Sequence, residues 1–146
     1  MSNSREIAAQ ILTNIYTKFE FFETAVLQNK NFSYLDHRDK AFVRLIILNT
    51  LRRNGQIMNV INQFIKKPLR KKDIFILNLI RISICQILFL DIKEYSIVNT
   101  AVQIAKNYKL DKFINGLLRN ICRNKKEINE NLTLEANIPK WIKNDI

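Results

Sequence analysis

The chain has 146 residues, enough for one domain with a real core, and is 47% hydrophobic and 25% charged. It carries 24 Lys+Arg against 13 Asp+Glu, a net +11, yet only two glycines (Gly55, Gly116) and two prolines (Pro68, Pro139). So few glycines exclude a phosphate-cradling Walker loop, a dinucleotide or S-adenosylmethionine fingerprint, and a sandwich or barrel with a tight turn at every corner.

The remaining expectation is an all-α domain, and helical periodicity runs through most of the chain. Ile7, Ala8, Ile11, Leu12, Ile15, Tyr16 and Phe19 follow the i, i+3, i+4 pattern, with Ser4 as N-cap. A second short helix over about 21–28 carries Phe22, Ala25 and Val26, and a polar break follows at 29–33. The third helix, about 35–53, places Asp36 and Asp39 in its first turn and Arg52 and Arg53 in its last, the polarity the helix dipole favours. Gly55 ends or bends it. The fourth shows a single stripe of Ile57, Val60, Ile61, Phe64 and Ile65, stopped by Pro68.

The fifth helix, about 73–90, is apolar nearly all round and is the element on which the others are expected to pack. Asn78, Arg81 and Gln86 within it argue against a membrane span. After a connection at 91–96, with Ser96 as N-cap, a sixth helix aligns Val98, Ala101, Val102 and Ala105. The seventh aligns Phe113, Ile114, Leu117, Leu118, Ile121 and Cys122. The expected fold is a compact seven-helix bundle around a buried central helix over 1–126, with a polar linker-like tail over 127–146. The polar amino terminus does not read as a signal peptide, and Cys85 and Cys122 read as reduced core thiols, so a cytoplasmic, membrane-free protein is expected.

The charge is asymmetric. Residues 1–65 hold eight basic and five acidic side chains, and residues 66–146 hold sixteen and eight. Lys66, Lys67, Arg70, Lys71 and Lys72 crowd one interhelical loop. Arg119, Arg123, Lys125 and Lys126 gather at the end of the seventh helix. Each cluster has a plain reading, a solvated loop or complementation of a helix C-terminus, but together with +11 they point to a polyanion. No helix-turn-helix pair with a hydrophilic recognition helix, basic zipper or zinc finger is present, which favours RNA over duplex DNA. Asn115 near Phe113, and Asn54 beside Arg53, are placed to contact unstacked bases. Catalysis has little support: His37 is the single histidine, neither cysteine has an activating neighbour, and the acids are scattered. No enzyme activity, metal or cofactor is expected.

Several strings carry a family resemblance. Asn-Thr-Leu-Arg-Arg-Asn-Gly-Gln-Ile over 49–57 is followed by Lys-Pro-Leu at 67–69. The central apolar helix ends in Gln-Ile-Leu at 86–88. Val-Asn-Thr-Ala-Val-Gln-Ile-Ala-Lys over 98–106 precedes Phe-Ile-Asn-Gly-Leu-Leu-Arg-Asn-Ile over 113–121. With the helix order, these resemble the NusB/RsmB family of helical RNA-binding domains over residues 4–125. The resemblance implies ribosomal or leader RNA as partner, in transcription antitermination or rRNA modification. A ribosomal protein or a methyltransferase domain is an implied second partner, and the state is monomeric or homodimeric. It also implies RNA contacts at Phe113, Asn115 and Arg5. Arg5 beside Glu6 stands for an arginine-rich first turn, and Thr100 occupies a position where the family often has an acid.

Leu51-Arg-Arg53, Lys67-Pro-Leu69, Arg119 and the Ile-Pro-Lys-Trp-Ile string at 138–142 look more like the methyltransferase branch. The catalytic region of that branch has no counterpart here. The expected function is therefore non-catalytic RNA binding, using Arg52, Arg53, the 66–72 cluster and the Asn115–Lys126 segment to grip the RNA, with a protein-docking adaptor as the alternative.

Overall fold

A computed structural model describes residues 3–132. Among these residues there are no strands and nine α-helices: α1 (Ser4–Lys18), α2 (Phe22–Gln28), α3 (Lys30–Ser33), α4 (His37–Arg52), α5 (Asn54–Phe64), α6 (Ile74–Phe89), α7 (Glu94–Ala105), α8 (Asp111–Arg123) and α9 (Lys125–Glu130). Single 3-10 turns at Lys71–Asp73 and Lys106–Tyr108 precede α6 and follow α7.

The all-α expectation holds, but there are nine helices rather than seven, for two local reasons. The polar break at 29–33 folds as α3 because the Asn29 side chain accepts from the Phe32 amide at 2.9 Å, and Phe32 is then buried in the core. Beyond Arg123, α9 turns back so that Ile128 is buried and Leu132 packs on the core, crossing the boundary expected at 126. One apolar side chain per short helix escapes a periodicity search, which needs several turns to register.

Caps move some boundaries. Asn3, not Ser4, caps α1, accepting from the Arg5 amide at 2.9 Å. Asp36 caps α4 through the Asp39 amide at 2.8 Å, which leaves His37 exposed in the first turn. The Ile97 amide donates to the Lys93 carbonyl at 3.2 Å, so α7 begins at Glu94, two residues before the expected cap at Ser96.

Helix α6 is the centre. Eleven of its sixteen residues are buried, and α1, α4, α5, α7 and α8 all pack on it. Its polar side chains are satisfied. Ser83 donates to the Leu79 carbonyl at 2.7 Å, and Gln86 Nε2 donates to the Ile82 carbonyl at 2.9 Å. Asn78, fully buried, donates to Thr13 Oγ1 at 2.9 Å and accepts from Arg81 at 2.6 Å, while the Arg81 guanidinium lies 4.6 Å from the Tyr16 ring centre. Buried polar groups need such partners, since an orphan costs about 1–3 kcal/mol.

Pairings fix the directions. Arg5 meets Gln86 and Thr13 meets Asn78, so α1 runs antiparallel to α6. Phe75 stacks on Tyr108 with ring centres 5.2 Å apart, so α7 also runs antiparallel to α6. The starts of α1 and α7 therefore share one end of the bundle with the close of α6. No described helix is long and apolar enough to cross a membrane.

Candidate nucleic-acid interface

Helices α7 and α8 lie side by side and leave a groove of about 650 Å³ between their outer faces. Its α8 wall follows from helical spacing. Ile114, Leu117, Leu118 and Ile121 turn inward and are buried, so Asn115, Arg119 and Arg123, each four residues apart, form one outer stripe. The α7 wall has the same logic. Ile97, Ala101 and Ile104 face the core, Val98 and Val102 line the groove, and Tyr95 and Asn99 stand one turn apart along it. Tyr95 is 81% exposed, a large aromatic face open to solvent.

The electrostatics are mostly positive. Neither Arg119 nor Arg123 has an ion-pair partner among the described residues. Glu94 brings the one carboxylate into the groove lining, 3.9 Å from Lys125 Nζ. Cys122 shares this lining, and its thiol is pushed up to about 11, first by burial and then by the Glu94 charge and hydrogen bond. It is therefore a protonated thiol at neutral pH rather than a nucleophile. No group of three or more His, Cys, Asp and Glu side chains among the described residues is placed to hold a metal ion.

The second basic cluster lies elsewhere. Lys66, Lys67, Lys71 and Lys72 are exposed, and Arg70 pairs with Asp73 at 3.3 Å. The Phe75–Tyr108 stack, three residues beyond Lys72, seats this loop beside the α7–α8 turn, where Lys106, Lys109 and Lys112 are also exposed. Arg123 lies at the far end of α8, about 18 Å away at 1.5 Å per residue. The two clusters thus occupy opposite ends of the α7–α8 pair.

Three residues expected to contact RNA also make contacts within the protein. Arg5 donates from Nε to Gln86 Oε1 at 2.7 Å and toward Thr100 Oγ1 at 3.3 Å, and lies 5.4 Å from the Phe42 ring centre. Burial lowers its pKa below the usual arginine value. Arg53 stacks 4.3 Å above Phe89 and reaches Gln56 Oε1 at 3.4 Å, joining α4, α5 and the end of α6. Phe113 is half-buried against the core. Arg52 and Lys126 are exposed, and Lys125 is half-exposed beside Glu94.

Sequence reasoning missed Glu94, Tyr95 and Asn99. Reading Ser96 as a cap put 91–96 in a connection, which concealed the stripe shared by Tyr95 and Asn99. A tyrosine four residues before an asparagine, both off the Ile97, Ala101 and Ile104 stripe, was the available signal.

The NusB family model matches residues 2–123, which takes in every element from α1 to the end of α8. The transcription antitermination protein NusB of Finegoldia magna is 25% identical over 130 residues, covering 84% of this chain and 93% of that protein. The protein of the same name from Macrococcus caseolyticus is 32% identical, covering 85% and 97%. The ribosomal RNA small subunit methyltransferase B of Shewanella oneidensis is 26% identical across 96% of this chain, which spans only 33% of that enzyme. The helix order around α6, the Phe-Ile-Asn-Gly-Leu-Leu-Arg string on α8 and the match over nearly the whole described body agree, and the chain belongs to the NusB family.

Proposed function

We propose that this protein is a non-catalytic RNA-binding protein that holds a single strand of ribosomal or leader RNA along the α7–α8 groove. The observation that carries the reading is the pairing of two stripes. An exposed Tyr95 with Asn99 lies on one wall, and Asn115, Arg119 and Arg123 lie on the other. Unstacked bases stack on aromatic faces and hydrogen-bond to amides, while unpaired guanidinium groups take phosphates. The exposed lysines at 66–72 extend the phosphate-binding surface at the far end. The names of the relatives, transcription antitermination proteins and a ribosomal RNA methyltransferase, favour an RNA of transcription antitermination or rRNA modification.

Titration of a labelled single-stranded RNA 12-mer and its duplex at 50 and 200 mM salt tests this. The single strand is expected to bind more tightly, with affinity falling steeply with salt. Equal binding of both forms, or binding insensitive to salt, overturns it.

A protein-docking role has its own observation. Phe19, Phe21, Leu27 and Tyr34 are 75–89% exposed, at the α1–α2 turn, the end of α2 and the end of α3. Exposed apolar side chains grouped in this way favour a protein partner on that face. A partner that binds there loses affinity for Phe21→Ser while RNA affinity stays unchanged.

A further inference from the structure

A carboxylate in a groove meant for a polyanion calls for its own explanation. Glu94 lines the groove next in sequence to Tyr95 and close to Lys125 beyond the end of α8, and its side chain is 43% exposed. Its place in the first turn of α7 lowers the cost of its negative charge. Lys125, 3.9 Å away, and the Cys122 thiol hold it at the groove lining without using all of its acceptor capacity, since an ionised carboxylate has about four lone-pair sites. A phosphate is repelled from that point, and a hydrogen-bond donor is drawn to it.

We propose that Glu94 is a specificity-determining residue that reads the Watson–Crick edge of one guanine stacked on Tyr95. This rests on the RNA-binding reading above. Guanine offers two donors side by side, N1–H and the N2 amino group, which match the two oxygens of a carboxylate. Adenine and cytosine present an amino group beside a ring acceptor, which a carboxylate meets less well. Uracil places a single N3–H between two carbonyls, both of which the carboxylate repels. The charge pattern also sets the strand's orientation. Arg119 and Arg123 draw phosphates to the α8 wall, and Glu94 keeps them from the position of the base. Asn99 and Asn115, on opposite walls, supply neutral donors and acceptors for the neighbouring base edges.

The test uses the full chain and three single-stranded RNA nonamers that differ only at the centre: guanine, inosine or uracil in a uridine background. Inosine lacks the N2 amino group and so removes one donor of the pair. Wild type is expected to bind the guanine nonamer about tenfold more tightly than the uracil one, with inosine between them. Glu94→Gln keeps the side-chain shape and is expected to bring all three within about threefold, because an amide offers one acceptor and one donor. Its thermal unfolding is measured alongside, and Glu94→Asp, which keeps the charge, is expected to retain the order guanine, inosine, uracil.

If wild type binds all three equally, or Glu94→Gln keeps the full preference, the guanine assignment falls and the RNA-binding reading stands. If wild type binds none of them at 50 mM salt, both fall.

Discussion

The salt dependence of RNA binding can be predicted cluster by cluster, because the structure distinguishes free cations from paired ones. Arg119 and Arg123 have no ion-pair partner among the described residues, so each is available to neutralise one phosphate. On a single strand each neutralised phosphate contributes about 0.7 to the slope of log affinity against log salt. Arg119→Ala/Arg123→Ala is therefore expected to make the slope shallower by about 1.4. Over the fourfold change from 50 to 200 mM salt, wild type should weaken about sevenfold more than this variant. In the 66–72 loop, Arg70 is discounted by its pair with Asp73, leaving Lys66, Lys67, Lys71 and Lys72. Full engagement of those four makes the corresponding difference about fiftyfold. Fluorescence anisotropy of a labelled single strand across five salt concentrations measures both slopes. A double-arginine variant with wild-type slope and affinity would refute the placement of the strand in the groove. An unchanged slope for the lysine variant would confine the RNA to the groove.

Four further outcomes are expected. Arg81→Met keeps the packing of the stem but leaves Asn78 Oδ1 without its charged donor in a fully buried site, and is expected to cost about 1–3 kcal/mol; urea unfolding at the wild-type midpoint would contradict this. Ile128→Ala at the buried face of α9 is expected to cost about 2 kcal/mol, the low end for a core isoleucine because the site lies at the edge of the core. A loss below 0.5 kcal/mol in the same assay would mean that α9 is not docked. Phe19 closes α1 at φ 55° while almost fully exposed, so Phe19→Gly removes left-handed strain without removing packing, and is expected to stabilise by about 0.5–1 kcal/mol. A lower melting temperature would refute that. Cys122 should resist alkylation at pH 8 and react progressively as pH approaches 11, and Glu94→Gln should shift its rate profile to lower pH. The sign follows from linkage: a thiol pKa raised by folding favours the native state at low pH, and that contribution is lost as pH rises from the unfolded thiol value toward 11. A Cys122 rate profile centred on the ordinary thiol pKa, or unmoved by Glu94→Gln, would contradict the assignment.

Long amphipathic elements were legible in the sequence because each repeats its apolar face over three or more turns. The α6 pattern alone predicts a buried helix, and the α8 pattern predicts its inner face. Helices α3 and α9 were not legible, unlike the short α2, since Phe32 and Ile128 each give a single apolar signal whose burial depends on distant residues. The site divided in the same way. Asn115, Arg119 and Arg123 were legible because they share one helix. Their partnership with Tyr95 and Asn99 depends on how α7 lies against α8, which no local pattern encodes. Charge alone could not separate Arg53 from Arg52, adjacent in sequence but turned inward and outward. The polar tail at 133–146, including the Ile-Pro-Lys-Trp-Ile string, lies outside the described residues.

The position of Arg5 supports the proposed groove, rather than the amino terminus, as the place for a phosphate. Arg5 is the cation implied by family resemblance, yet its Nε–H is committed to Gln86 Oε1, and Gln86 is fully buried with its amide nitrogen already given to the Ile82 carbonyl. Drawing Arg5 out to a phosphate would orphan that buried oxygen and sacrifice a charge-assisted hydrogen bond, each worth about 1–3 kcal/mol. Arg119 and Arg123 meet no such penalty, since they are exposed and have no ion-pair partner among the described residues. Thr100 adds to the contrast. It accepts from Arg5 as a neutral hydroxyl, so the guanidinium charge is held but not cancelled. Arg5 thus locks α1 to α6 and α7 while leaving its positive potential at the end of the bundle where the groove's arginines lie. In the proposed complex the internal cation contributes to the field, and the external ones take the phosphates.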